Sequence, residues 1–316
     1  MVVNLSIFNF NINMKKFALR LLIGLFLILV GDYVIGNTLE YFYFKTSSGL
    51  LQRTTYALKE TEADILIFGS SRANHHYDTK IIEEKTGQSA YNTGRDGNFT
   101  FFQTALLKSV LCRYTPKQII LDFSGTFKFR QEDYDRLSSL LPYYNSHEEL
   151  RDIILLRSPF EKYKLKSKIY PYNSLLTTIT VGNLNFNANR RGNKGAYKGY
   201  VPSYGIWENE LTTRETPQEY EIDKNKLVIF EEFLELTQQN NIPLIVVYSP
   251  VYYTYDRNFS VETAKDVCKK LNVKFVDFSK DIEFLENKKL FNDKTHLNSN
   301  GAKLLTQKVL QHLKSQ

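Results

Sequence analysis

Cysteine is almost absent: of 316 residues only Cys112 and Cys268 carry a thiol, and tryptophan occurs once. Each cysteine falls inside a predicted helix beside apolar neighbours, so two buried thiols are expected rather than a disulfide. Neither stands in a metal-ligand spacing, and His75 and His76 have no cysteine or second acidic cluster beside them, so no metal site is expected. The chain also lacks a long basic stripe. Arg190-Arg191 is its only arginine pair and the formal charge of +7 is modest for this length, which argues against a nucleic-acid partner. Internal repeats and low-complexity tracts are missing too.

What is present is ordinary globular material, 42% hydrophobic and 24% charged, able to bury a sizeable core. Tyr and Phe are abundant, at 21 and 22 residues. Most such rings fill strands and cores; the other reading is a tyrosine-lined groove for a sugar-like or polymeric ligand.

Residues 17–35, FALRLLIGLFLILVGDYVI, are apolar on all faces apart from Arg20 and Asp32. At helical rise they span roughly the ~30 Å hydrocarbon core of a bilayer. Lys15, Lys16 and Arg20 precede or open the segment, while Asp32 and Glu40 lie towards or past its end. The positive-inside rule then keeps residues 1–16 in the cytoplasm, makes 17–36 a transmembrane anchor, and places the rest outside the cell membrane. A cleaved signal peptide is the alternative, although Val34-Ile35-Gly36-Asn37 is a poor cleavage site. Met14, directly before the lysines, is a second candidate start.

Residues 37–60 read as a linker, and 61–316 as one domain. Five short apolar runs, at 64–68, 89–92, 118–123, 244–248 and 274–278, lack the alternation of half-exposed strands and suit a parallel sheet covered on both faces. Helical patterns at 79–85, 100–113, 224–240, 261–271 and 300–314 separate or follow them, the last with Asn298 or Ser299 as its cap. This order predicts a three-layer α/β fold with a doubly wound, mostly parallel five-stranded sheet. Residues 128–220 break the alternation. They read as an insertion or lid, the natural seat of substrate selectivity.

Sites in such sheets form beyond the C-terminal strand ends. Gly69-Ser70-Ser71-Arg72 directly follows the first strand and offers a serine hydroxyl there, although Gly-Ser-Ser is also common turn chemistry. Asp293 stands three residues before His296 on a tight loop. That spacing lets the carboxylate orient the imidazole, which takes a proton from a serine and returns it to a leaving group. Arg72 and Arg95 are candidate contacts for a substrate carboxylate or phosphate, and Asn74 and Asn98 complete the candidate binding residues.

Together these blocks resemble the SGNH (GDSL-like) hydrolases, over most of residues 60–128 and 240–312. ILIF followed by Gly-Ser-Ser resembles the nucleophile block, with Ser71 at the serine and Ser70 replacing an Asp. Asn92-Thr93-Gly94-Arg95-Asp96-Gly97-Asn98 resembles the second block, and DKTHLNSNGAKLL closely resembles the last. The resemblance implies a flavodoxin-like sheet, a Ser71–His296–Asp293 triad and an oxyanion hole from the Ser71 and Gly97 amides. It departs after the third strand, where Asp122-Phe123-Ser124-Gly125-Thr126 has no Asn to act as a further donor. Ser124 or Thr126 substitutes, or the two amides act alone. The implied function is a serine esterase or O-acyltransferase, without cofactor, acting on an acylated envelope or extracellular carbohydrate or glycopolymer. Membrane-anchored branches of the family have the same layout. A non-catalytic polymer-binding or envelope-assembly protein on the same fold is the rival.

Overall fold

Five parallel strands form the centre of the computed structural model, which describes residues 3–184, 195–216 and 219–313. They are β1 (Ile65–Phe68), β2 (Ala90–Asn92), β3 (Gln118–Asp122), β4 (Leu244–Tyr248) and β5 (Lys274–Asp277), in the order β2-β1-β3-β4-β5. The central strands β1, β3 and β4 are short, rich in β-branched residues and almost wholly buried, as strands covered on both faces must be, whereas the edge strand β5 is half-buried. Successive side chains alternate between the two faces. Leu66, Phe68, Ile119, Leu121, Leu244 and Val246 enter one core; Ile65, Ile67, Ile120, Ile245 and Val247 enter the other.

Helices cover both cores. On the first face lie α2 (Gly49–Lys59), α5 (Thr100–Leu111) and the helices Lys224–Gln239 and Phe259–Lys270. On the second lie α3 (Ser71–His76), α4 (Thr79–Thr86) and the terminal helix Ser299–Leu313. The three-layer α/β architecture expected from the sequence is therefore present. The terminal helix begins where expected, Asn298 Oδ1 accepting the Asn300 and Gly301 amides at 3.1 and 3.2 Å. The strand order reverses between β1 and β3, and that crevice is where such sheets bind ligands.

The first helix, α1 (Val3–Lys45), is longer than the apolar segment inside it. Its Met14–Lys45 portion is long and apolar enough to cross a membrane. Residues 37–60 are not a linker. The last turns of α1 are built into the domain, with Tyr43 buried and its hydroxyl 3.1 Å from that of Tyr143. α2 follows after a short turn and buries Leu51, Thr54, Ala57 and Leu58 on one face. The polar Thr- and Tyr-containing stretch reads as loose in sequence because few apolar residues are needed where a helix lies on a core already formed by others.

The Asp32 carboxylate accepts Ser167 Oγ at 2.5 Å and the Lys168 and Ile169 amides at 2.7 and 3.2 Å. Gly36 permits the approach, since a Cβ there would meet Lys168 Cβ at 2.3 Å. Asp32→Ala is expected to destabilise the full-length protein in micelles by about 1–2 kcal/mol and to speed amide exchange at Lys168 and Ile169. Unchanged exchange at those amides would show that this clamp does not form in solution.

Of the cysteines, Cys268 is buried as expected but Cys112 is exposed, because α5 ends at Leu111 and turns the thiol outward; both are free. The Arg190-Arg191 pair lies outside the described residues.

Candidate active site

The chain leaves β1 through Gly69, whose φ of +146° is open to glycine and strained for other residues. A Cβ there would meet Ala73 Cβ at 2.7 Å and the Asp122 carbonyl oxygen at 2.9 Å. The sharp turn starts α3 at Ser71, whose amide is in the first turn and has no intrahelical acceptor.

Two short antiparallel strands, β6 (Phe291–Asp293) and β7 (His296–Leu297), bring the other end of the chain to the same place. Asp293 holds their turn together. Its Oδ1 accepts the Thr295 amide at 2.8 Å, the Thr295 hydroxyl at 2.9 Å and the His296 amide at 3.0 Å. Its Oδ2 lies 2.8 Å from His296 Nδ1. Burial works to raise the Asp293 pKa, but the bonds from His296 and Thr295 outweigh it and hold the carboxyl well below the usual range. An ionised Asp293 requires the proton on His296 Nδ1, leaving the Nε2 lone pair to face Ser71 Oγ at 2.8 Å. Three residues spread over 225 positions thus form one hydrogen-bonded line.

His76 ties the two ends together. Its Nε2 accepts the Leu297 amide at 2.9 Å, so the helix bearing Ser71 grips the strand bearing His296. Burial, reinforced by the nearby His296 and Arg72, pushes the His76 pKa well below its ordinary value, which keeps this nitrogen an acceptor. His75 Nδ1 donates to the Val201 carbonyl at 2.6 Å. Among the described residues no group of three His, Cys, Asp or Glu is placed to hold a metal ion.

A cavity of about 380 Å³ opens from Ser71 and His296. Of the four candidate binding residues, only Arg72 lines it. Arg72 is itself buried, 3.4 Å from Asp122, with Nη2 donating to the Phe123 carbonyl at 2.5 Å and its guanidinium over the Tyr248 ring. Asn74 instead joins Asp96 at 2.8 Å to Arg53 at 2.7 Å. Arg95 points away and donates to Thr54 Oγ1. Asn98 is buried and accepts from Ser139. These three brace the loop after β2 rather than face the cavity.

Gly97 is also absent from the cavity lining and sits against the Arg136 guanidinium. Ser70, Phe99, Ser124 and Gly125 form that wall, with the Ser70 and Ser124 hydroxyls 2.5 Å apart. Ser124 thus stands beside the Ser70-Ser71 turn, where the resemblance has its Asn. Sequence reading missed Lys128, Arg130, Arg214, Tyr220, Tyr253 and Asn258 on the outer wall. The signal available was regional, since four of these six come from residues 128–220; the 185–194 and 217–218 parts of that insertion lie outside the described residues.

No protein-family description matches this chain, and no curated protein matches it in sequence. Among solved structures, a putative acylhydrolase from Bacteroides fragilis aligns over 84% of this chain and 96% of its own, with 10% sequence identity and a TM-score of 0.40. A likeness of that degree carries no argument about activity; the chemistry has to come from the site.

Proposed function

We propose that this chain is a serine esterase or O-acyltransferase of the SGNH type, acting on an acylated envelope or extracellular carbohydrate. The observation that carries the reading is the Ser71–His296–Asp293 line, with 2.8 Å at each of its two links. Ser71 Oγ attacks the ester carbonyl carbon while His296 Nε2 takes its proton. The tetrahedral intermediate collapses as Nε2 returns that proton to the leaving alkoxide, and an acyl-Ser71 ester remains. Water or a sugar hydroxyl then gives its proton to Nε2, attacks the acyl carbon and releases Ser71. The Ser71 amide and the Ser124 hydroxyl, whose residues both line the cavity, are taken as donors for the oxyanion. The resemblance adds the Gly97 amide to them. Asp293 balances the imidazolium throughout.

The apolar part of α1 is read as an uncleaved anchor, with Lys15 and Lys16 on the cytoplasmic side and the α/β domain outside. The setback of Gly97 and the missing Asn favour the rival reading, a polymer-binding protein on the same fold.

A fluorophosphonate probe separates the two, because it needs an activated serine. Full-length protein in micelles is expected to label at one site, and the Ser71→Ala variant not at all. If the two proteins label alike, Ser71 is not an activated nucleophile and the binding role takes its place.

A further inference from the structure

The cavity wall beyond the triad is one-sided in charge. Arg72, Lys128, Arg130 and Arg214 contribute to it, and among the described residues no carboxylate does. Composition does not account for this, since the chain carries 41 Lys and Arg against 34 Asp and Glu. Arg72 is committed to Asp122 beneath the floor, and Arg130 pairs with Glu132 at 2.8 Å. Lys128 and Arg214 form no salt bridge with the described carboxylates.

The backbones of these two cations are pinned although their side chains are exposed. Lys128 makes an antiparallel bridge with Ile222, and its carbonyl accepts Lys226 Nζ at 2.6 Å. Thr213 makes a parallel bridge with Thr254, and the Arg214 amide donates to the Thr254 carbonyl at 2.8 Å. The Arg214 guanidinium lies 5.4 Å from the centre of the buried Tyr253 ring, a stacking that limits its swing. Tyr220, Thr216 and Asn258 fill the wall around them with groups suited to sugar hydroxyls.

We infer that the substrate is an anionic glycan, whose ester is presented to Ser71 while a carboxylate or phosphate on the same or a neighbouring sugar is held by Lys128 and Arg214. This rests on the acyl-transfer reading of Ser71 and names the substrate class that the same cavity selects. Two cations without bound carboxylates, on pinned backbone, attract such a group and disfavour a neutral polymer of equal size, which loses water from them and returns no charge.

The test uses the full-length Ser71→Ala protein in micelles, so that binding is read without turnover. Tetragalacturonate, a sugar-phosphate oligomer of equal charge, and neutral cellotetraose are titrated at low and at physiological salt. At least one acidic oligomer is expected to bind about tenfold more tightly than cellotetraose, with the preference shrinking as salt screens it. The tighter acidic ligand identifies the group held. Lys128→Gln and Arg214→Gln are each expected to weaken acidic binding by about fivefold to tenfold. Lys117→Gln, which removes a cation just before β3 at the opposite end of the sheet, leaves it unchanged. Cellotetraose binding as tightly as both acidic oligomers, or acidic binding indifferent to both cavity variants, overturns the inference. Intact acidic binding in a protein whose Ser71 never labels overturns the catalytic reading instead.

Discussion

Asp293→Asn is expected to slow acylation of Ser71 by about four orders of magnitude while leaving the fold within ~1 kcal/mol of the parent. The reason lies in the bonds on each oxygen. Oδ1 accepts the Thr295 amide, the Thr295 hydroxyl and the His296 amide, and Oδ2 accepts from His296 Nδ1. An Asn that keeps its oxygen on the turn amides must present its NH₂ to Nδ1. That nitrogen then becomes an acceptor, the ring proton moves to Nε2, and Nε2 can no longer take the proton of Ser71. The flipped amide would aim NH₂ at two backbone N–H groups, so the turn itself selects the inactive tautomer. The negative charge that balances the imidazolium is lost in either case. Burst kinetics on an aryl acetate, with thermal melting on the same sample, measure both quantities. Acylation near the parent rate would remove Asp293 from the triad.

Asp122→Ala is expected to be the most destabilising change near the site, by about 3–5 kcal/mol. Asp122 is buried at the end of β3, and it accepts the Tyr77 hydroxyl at 2.8 Å as well as the Ser249 hydroxyl. Burial raises its pKa, and Arg72, with the hydroxyls of Ser249 and Tyr77, opposes that rise. Removing the carboxylate leaves the Arg72 guanidinium buried without its counter-charge, directly beside Ser71 in sequence. If the unpaired charge is the cause, the double change Arg72→Met with Asp122→Leu should recover most of the loss, since an apolar pair of similar volume carries no such penalty. Denaturant unfolding of the full-length protein in micelles reads both variants. A loss below about 1 kcal/mol for Asp122→Ala would mean that water reaches Arg72 and that the pair is not the keystone of the turn.

Some of this was legible because the physics is local. β4 lies at 244–248 as expected, and β1, β2, β3 and β5 differ from their expected ranges only by an end residue. A strand buried on both faces must be apolar without interruption, and such a run is visible in one dimension. The cap on the terminal helix was equally plain, as Asn298 acts on amides two and three residues ahead. The Asp293 and His296 pair belongs with these: its members are three residues apart, and one carboxylate closes both the turn and the imidazole bond.

Neighbours of a motif proved a poor guide to the cavity. On α3 each residue turns about 100° from the last, so Ser71 faces the opening, Arg72 drops beneath it and Asn74 points to the loop after β2. Adjacent in sequence, they serve different surfaces. β6 and β7 left no periodic signal, being three and two residues long. The reading of 37–60 as a linker failed because the burial of α2 depends on a core supplied by other elements.

By itself, then, the sequence determined the α/β class, the parallel strands and the apolar helix near the N-terminus, each through patterns within a few residues, and the family resemblance offered Ser71, Asp293 and His296 as the candidate triad. Only the tertiary structure decided that 225 positions close to a 2.8 Å contact between Ser71 and His296, and that Asp32 is clamped by Ser167, Lys168 and Ile169. It also decided that Lys128 and Arg214, 86 positions apart in sequence, share one wall without a carboxylate among the described residues. Such contacts form when separate elements pack on the two faces of one sheet, and no local periodicity encodes which distant side chains that packing will bring together.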